Sequence, residues 1–300
     1  MKTKSLIIAG PTASGKSDFA HKLAKQINGA IINCDSVQIY RDIENISASP
    51  FAGMNPETFD NIDGVPYRLF SILPLQKHIS VADYLHLAKD AFDEVIKIGK
   101  IPIFVGGTGY YINVLIHGIS SIPEISEANR TKAREMVQNN MDAVLKLLPS
   151  DFVKTDPQRT ARALEVFLET GVPLSQWQKM PRCGALVDDA YKILINPNRE
   201  ELLKRIASRV PKMVSGGALD EAKYIVENKL EENRAIGTQQ LCKMLRGEIT
   251  EQQAIDNWTT KTNQYAKRQR TWFKTQFAPD YEISHVPNDE DVEIVLKKIS

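Results

Sequence analysis

Cysteine is scarce in this chain, with three residues in 300, and Cys34, Cys183 and Cys242 lie far apart. Their spacing matches no zinc pattern, so a structural zinc is not expected, and scattered thiols of odd number fit a reducing cytoplasm better than a disulfide framework. No apolar run approaches the roughly 20 residues that a membrane helix needs, which argues against a membrane protein. Charge of one sign is also missing, since 38 Lys and Arg against 37 Asp and Glu leave a net charge of +1. That balance alone does not suggest nucleic acid as a partner. Internal repeats and low-complexity tracts are absent. What remains is ordinary globular composition, 42% hydrophobic and 25% charged, in a chain long enough for one or two domains.

Residues 10 to 17 carry the most chemistry. Gly10-Pro11-Thr12-Ala13-Ser14-Gly15-Lys16-Ser17 fits the phosphate-loop pattern G-x-x-x-x-G-K-[ST] at every fixed position. The glycines let successive backbone N–H groups turn toward an anion, Lys16 adds a point charge, and the Ser17 hydroxyl is suited to ligate Mg2+. The flanks agree. Ser5 to Ala9 reads as a buried strand, and Phe19, Ala20, Leu23, Ala24 and Ile27 recur at helical spacing up to Gly29. The amino-terminal Met-Lys-Thr-Lys and its short apolar run superficially resemble a signal peptide, but the run leads into the glycine loop and not into a cleavage site.

Ala30 to Cys34 reads as a second buried strand, running into Asp35-Ser36-Val37-Gln38-Ile39-Tyr40. In an open α/β sheet a polar residue at the carboxyl end of such a strand lies at the ligand crevice, which makes Asp35 a candidate acid or base; a turn aspartate is the plain alternative. Pro50, Pro56, Pro66 and Pro74 predict loops and short helices over residues 41 to 80. Ser80-Val-Ala-Asp83 has capping-box spacing and opens a helix that ends at Gly99. Ile101 to Val105 is a third buried strand followed by Gly106-Gly-Thr-Gly-Tyr-Tyr111, where a common nucleotide triphosphatase would carry a Mg2+-binding aspartate.

Residues 119 to 186 read as a helical insertion into a core made of 1 to 118 and 187 to 300. Within it, Glu127 to Leu148 is a polar helical run, and Asp156-Pro157 caps a second helix closed by Gly171, on which Arg159 and Arg162 share a face. Tyr191 to Ile195 returns as a strand. The next helix turns Arg209 toward the same side as Leu202 and Ile206, and a guanidinium aimed inward needs an anion. Near the carboxyl end, Trp258, Tyr265 and Trp272 repeat every seven residues, with Lys267, Arg270 and Lys274 opposite and Arg268 beside the seam. No acidic residue occurs between Thr259 and Pro279, so this face favours a phosphate backbone over plain solvation. The expected fold is therefore α/β: a P-loop NTPase-like parallel sheet flanked by helices, with a helical insertion and a helical carboxyl-terminal region.

Taken in order, these stretches resemble one family, the tRNA dimethylallyltransferases, also called tRNA isopentenyltransferases. The resemblance rests on residues 10 to 17, 35 to 40 and 106 to 111, on Asp156-Pro-Gln-Arg159 with Arg162-Ala-Leu-Glu165, on the Arg205, Arg209, Met213 spacing, and on Ala266-Lys-Arg-Gln-Arg-Thr-Trp272. It implies transfer of a dimethylallyl group from dimethylallyl diphosphate to the N6 amine of adenosine 37, in the anticodon stem-loop of tRNAs reading codons that start with U. By the same resemblance, residues 10 to 17 bind the diphosphate. Asp35 is the general base, and Lys16, Arg209, Thr12 and Ser17 with Mg2+ neutralise the leaving group. Asp35, Ser36, Val37, Gln38, Thr108, Gln158, Arg159, Thr160, Ala161, Arg162, Lys267, Arg268, Arg270 and Lys274 would touch tRNA. A cytoplasmic monomer is expected.

The sequence departs from the family pattern at Ser47-Ala-Ser-Pro50, at Tyr67 and Arg68, at Gly237-Thr-Gln-Gln240 and at Asn263, which leaves the catalytic set intact and bears on which tRNAs are held. Two other readings stand beside the first. One is an ATP-binding phosphotransferase, suggested by the phosphate loop alone; the other is a tRNA-binding paralogue of reduced activity, suggested by lost basic residues.

Overall fold

Short β-branched runs form the centre of the molecule, and the glycine loops fall where those runs end. In the computed structural model, residues 5–149, 152–153, 156–231, 233 and 235–299 are described. They divide into two compact units, residues 1–116 with 186–300, and residues 117–185. The first begins with β1 (Leu6–Ala9), α1 (Lys16–Gln26) and β2 (Gly29–Asn33). Gly29 does not close α1 as its position suggests. Asn28 takes the left-handed turn at φ 54°, and Gly29 opens β2, where a Cβ would come 2.6 Å from Ile103 Cδ1.

Residues 41 to 80 are not only loops. After a 3₁₀ turn at Pro56–Thr58 they supply β3 (Asn61–Ile62) and β4 (Val65–Arg68). Pro66 hid the second strand from sequence reading. Its partnering to β2 starts at Tyr67, one residue beyond the proline, so the missing N–H costs that ladder nothing. The helix α2 (Val81–Lys97) has the expected capping box, with Ser80 and Asp83 each accepting the other's backbone N–H. It is followed by β5 (Ile101–Gly106) and α3 (Gly109–His117).

The second unit holds β6 (Ile119–Ser120), α4 (Glu127–Leu147), α5 (Pro157–Thr170), α6 (Leu174–Lys179) and β7 (Arg182–Cys183). Its core is the seam between α4 and α5, where Ala133, Val137, Val144, Ala163 and Leu164 are buried. α4 is broken at Asn140, whose side chain caps Ala143 N–H at 3.0 Å. At the neck of the unit β6 and β7 pair antiparallel, Ile119 with Cys183 and Ser120 with Arg182.

The first unit resumes with β8 (Tyr191–Ile195) and α7 (Arg199–Met213), which contains Pro211 and runs through a π turn at Val214–Ala218 into α8 (Leu219–Glu227). Then come α9 (Thr238–Leu245), the long α10 (Glu251–Gln276), β9 (Tyr281–Ile283) and α11 (Asp289–Ile299). The sheet order is β3-β4-β2-β5-β1-β8-β9, parallel except for the β3–β4 pair. One core packs α1 and α11 on this sheet through Phe19, Leu23, Val292 and Val295; a second joins α7, α8, α9 and α10 through Ile206, Ile225, Leu241 and Trp258. β1 lies between β5 and β8, so the loops following β1, β2, β5 and β8 gather at one carboxyl edge.

Candidate active site

The phosphate loop fills the gap between β1 and α1. Gly10 is required by crowding, because a Cβ there would stand 2.3 Å from the Ile195 carbonyl oxygen. Gly15 adopts φ 91°, which an L side chain would resist. Lys16 Nζ turns back to the Pro11 carbonyl at 3.3 Å. The side chain is half-buried as a whole, but its ammonium is enclosed, and this burial pushes its pKa down to about 8; Asp35 opposes the shift and Arg209 adds to it.

Two arginines of α7 close the other side. Arg205 Nε donates to Ala13 O at 2.8 Å, and Arg209 Nη2 donates to Thr12 Oγ1 at 2.6 Å. Burial lowers the Arg209 pKa to about 10, helped by Arg205 and partly offset by Asp35. Its Nε is buried with no partner, as is Ser14 Oγ. Buried donors without acceptors beside enclosed cations form a site that an anion completes.

Asp35 follows β2 at the same edge. Asn33 Oδ1 accepts Asp35 N–H at 2.7 Å, and Asn33 Nδ2 donates to the Asp35 and Leu69 carbonyls at 2.9 Å each, so the turn is rigidly held. Asp35 Oδ1 accepts Val37 N–H at 2.9 Å. The turn aspartate and the site carboxylate are thus one residue. It acts on Lys16 and Arg209 across the loop, and on Tyr265 of α10.

Thr108, after β5, ties these pieces together. Its Oγ1 accepts Ser36 N–H at 2.9 Å and donates to Ser36 Oγ at 3.3 Å. Burial, and then the Asp35 charge, push Tyr265 well above the ordinary phenol range. Gln38 Nε2 donates to the Ser47 and Ala48 carbonyls, which holds the 43–49 turn. The glycines around Thr108 admit α10: a Cβ on Gly109 would meet the Trp272 ring at 2.3 Å, and one on Gly107 would meet Gln269 Nε2 at 2.3 Å.

An IPP transferase model matches residues 38–276, and an isopentenyl transferase model matches residues 3–56. The chain belongs to the IPP transferase family. A tRNA dimethylallyltransferase of Rickettsia bellii is 36% identical to it, over 100% of this chain and 96% of that protein. One of Rhodopseudomonas palustris is 38% identical, over 91% and 87% respectively. The crystal structure of the full-length tRNA isopentenylpyrophosphate transferase of Bacillus halodurans superposes with a TM-score of 0.69 at 29% identity, covering 99% of this chain and 96% of that one. The family's P-loop-like fold is the one described above.

Against that family background, Lys16, Thr12, Asp35, Thr108 and Arg209 come together at one edge of the sheet, while other expected residues lie apart from it. Lys267, Arg268 and Lys274 are exposed on α10, and Arg270 Nε donates to Asn196 Oδ1 at 3.1 Å. Gln158, Arg159 and Arg162 belong to the second unit, Arg159 paired with Asp156 at 3.3 Å and Arg162 with buried Glu165 at 3.2 Å. The side chains of Thr160 and Ala161, on the same helix, are buried, Ala161 within that unit's core. Thr160 Oγ1 donates to Asp156 O, leaving any RNA contact there to neighbours or main chain.

Sequence reading gave no role to Gln269, Tyr265 or Arg205. Gln269 had a visible signal: the inward stripe of α10 runs Ala254, Trp258, Thr262, Ala266, Gln269, Phe273, and an amide on such a stripe needs partners. Among the departures, Arg68 pairs with Glu94 at 2.8 Å and Tyr67 OH meets His21 Nδ1 at 3.0 Å, while Asn263 Oδ1 is buried without a partner.

Proposed function

We infer that the protein transfers a dimethylallyl group to tRNA, with dimethylallyl diphosphate as donor and the N6 amine of adenosine 37 as acceptor. The carrying observation is one carboxylate, Asp35, within electrostatic reach of the two enclosed cations Lys16 and Arg209 at the phosphate loop. An anion cradle facing a single base suits displacement of a diphosphate by an amine. It suits water activation for triphosphate cleavage less well, because β5 ends in Gly106 and not in aspartate.

The donor's diphosphate fits the loop through Lys16, Arg209 and the unpartnered Ser14 hydroxyl. The C1–O bond breaks as the N6–C1 bond forms, and the departing charge is received by Lys16, Arg209 and Thr12. The amine proton passes to the Asp35 oxygen that does not hold Val37 N–H. No set of three His, Cys, Asp or Glu side chains suited to a metal occurs among the described residues, so Mg2+ would be held by Ser17 and the substrate's own oxygens, adding neutralising charge. The base must leave its stack to reach Asp35, beside Ser36, Val37, Gln38 and Thr108. Lys267, Arg268, Arg270 and Lys274, with Gln158, Arg159 and Arg162, are assigned to the anticodon stem-loop of tRNAs reading codons that begin with U.

No helix among the described residues is long and apolar enough to cross a membrane, and the reading takes the protein as a cytoplasmic monomer. The test is transfer of radiolabelled dimethylallyl diphosphate, with Mg2+, to an anticodon stem-loop carrying adenosine 37, beside one with that base changed. Label in the first RNA alone is expected. Binding without label would put the tRNA-binding reading in its place.

A further inference from the structure

One buried side chain touches both glycine loops of the site. Gln269 Oε1 accepts Thr12 N–H at 2.8 Å, while Gln269 Nε2 donates to the Gly107 carbonyl at 2.8 Å. The residue is 6% exposed. Its amide orientation is determined, since the reverse would set donor against donor and acceptor against acceptor. The space for it is also specific: a Cβ at Gly107 would fall 2.3 Å from Nε2. Thr12 is therefore held by both its polar groups, the N–H by α10 and the hydroxyl by Arg209 of α7 at 2.6 Å.

The same helix turns its other side outward. Lys267 and Arg268 precede Gln269 and are exposed, as is Lys274 five residues further on. A helix is stiff over one or two turns, so a shift of its outer face carries Gln269 with it. Thr12 and Gly107 would then move with Gln269, because each is joined to its buried amide by a well-formed hydrogen bond.

We propose that Gln269 is the positioning residue of the donor site: it fixes Thr12 in the orientation that meets Arg209, and it couples diphosphate affinity to occupancy of the RNA-facing side of α10. The proposal rests on the reading of α10 as an RNA contact. The coupling is reciprocal, so RNA tightens diphosphate binding by the factor by which diphosphate tightens RNA binding.

Two variants break the bridge from opposite sides. Gln269→Met keeps length and volume but has neither bond and is the decisive variant; Gly107→Ala pushes the amide away with residue 269 intact, its Cβ also closing to 3.0 Å on the Gly10 carbonyl oxygen, so only an unchanged affinity in it is read against the proposal. Titration of inorganic diphosphate, without and with the anticodon stem-loop, reads the site whatever the prenyl donor. In the unaltered protein the stem-loop should tighten diphosphate binding severalfold. In both variants diphosphate binding alone should weaken on the order of tenfold, as expected for two buried hydrogen bonds lost together, and the effect of RNA should vanish. Stem-loop affinity in the absence of diphosphate should stay within about twofold, and the KM for dimethylallyl diphosphate should rise more than kcat falls.

If Gln269→Met proves unstable, Gly107→Ala and protection of the Thr12 amide against hydrogen exchange in the unaltered protein decide the matter. Unchanged diphosphate affinity in a folded variant, or a freely exchanging Thr12 amide, overturns the positioning role. Loss of prenyl transfer with diphosphate affinity and coupling intact also overturns it, with the prenyl-transfer reading left standing. Failure of the unaltered protein to bind the stem-loop removes the reading of α10 and the coupling with it.

Discussion

At the scale of single residues, Asp35 has two duties that one substitution separates. Asn in its place keeps an oxygen for Val37 N–H, so the turn survives, but it cannot take up the amine proton. Asp35→Asn is expected to lower kcat by about 10²-fold or more, with tRNA affinity held within a few fold. A loss of binding of similar size would return Asp35 to a purely structural role. Lys16 gives a second prediction, from its pKa of about 8 in the free protein. A diphosphate beside it favours the charged ammonium and raises that value, so binding takes up a proton above pH 8. Affinity for dimethylallyl diphosphate should be level between about pH 7 and 7.5, where the ligand's own last ionisation near pH 6 is complete, and fall above 8, by up to about tenfold per unit. A flat profile to pH 9.5 would show that Lys16 does not meet the ligand's charge.

At the scale of elements, α10 carries the argument for RNA. Lys267→Glu together with Lys274→Glu should weaken stem-loop binding more at low salt than at high salt, and lower the slope of log affinity against log salt by roughly two. An unchanged slope would make that face simply solvated. This helix also marks where sequence reading stops. Its seven-residue aromatic spacing and its lack of carboxylates are local patterns, visible along one stretch of chain. What Gln269 touches is not local, because Thr12 is 257 positions away and Gly107 is 162. The same holds for Arg205 and Ala13, 192 positions apart. β4 was hidden for a different reason: its proline is a valid warning for a central ladder, and only the register, with pairing to β2 from Tyr67 onward, removes it.

At the scale of the whole molecule, four buried strands and their ligand-facing ends were legible because each ended in a glycine or polar turn, whereas the order of the sheet was not, since strand pairing joins residues far apart in the chain. The internal break of α4 at Asn140 was not legible, because a polar helix gives periodicity too weak to show a kink. Replacing residues 121–181 by a short Gly-Ser connector should leave the first unit folded and diphosphate affinity within a few fold, while stem-loop affinity drops at least tenfold. Loss of diphosphate binding as well would mean that the second unit is needed for the first to fold.

That replacement is feasible because of the two-residue β6–β7 ladder, with Gly118 so tight against Cys183 that a Cβ would sit 2.1 Å from its carbonyl oxygen. Such a neck works as a graft junction. Everything beyond Ser120 and Arg182 enters and leaves through this one short ladder, so an exchange of that segment leaves the chain connections of the strands that carry Lys16 and Asp35 unchanged.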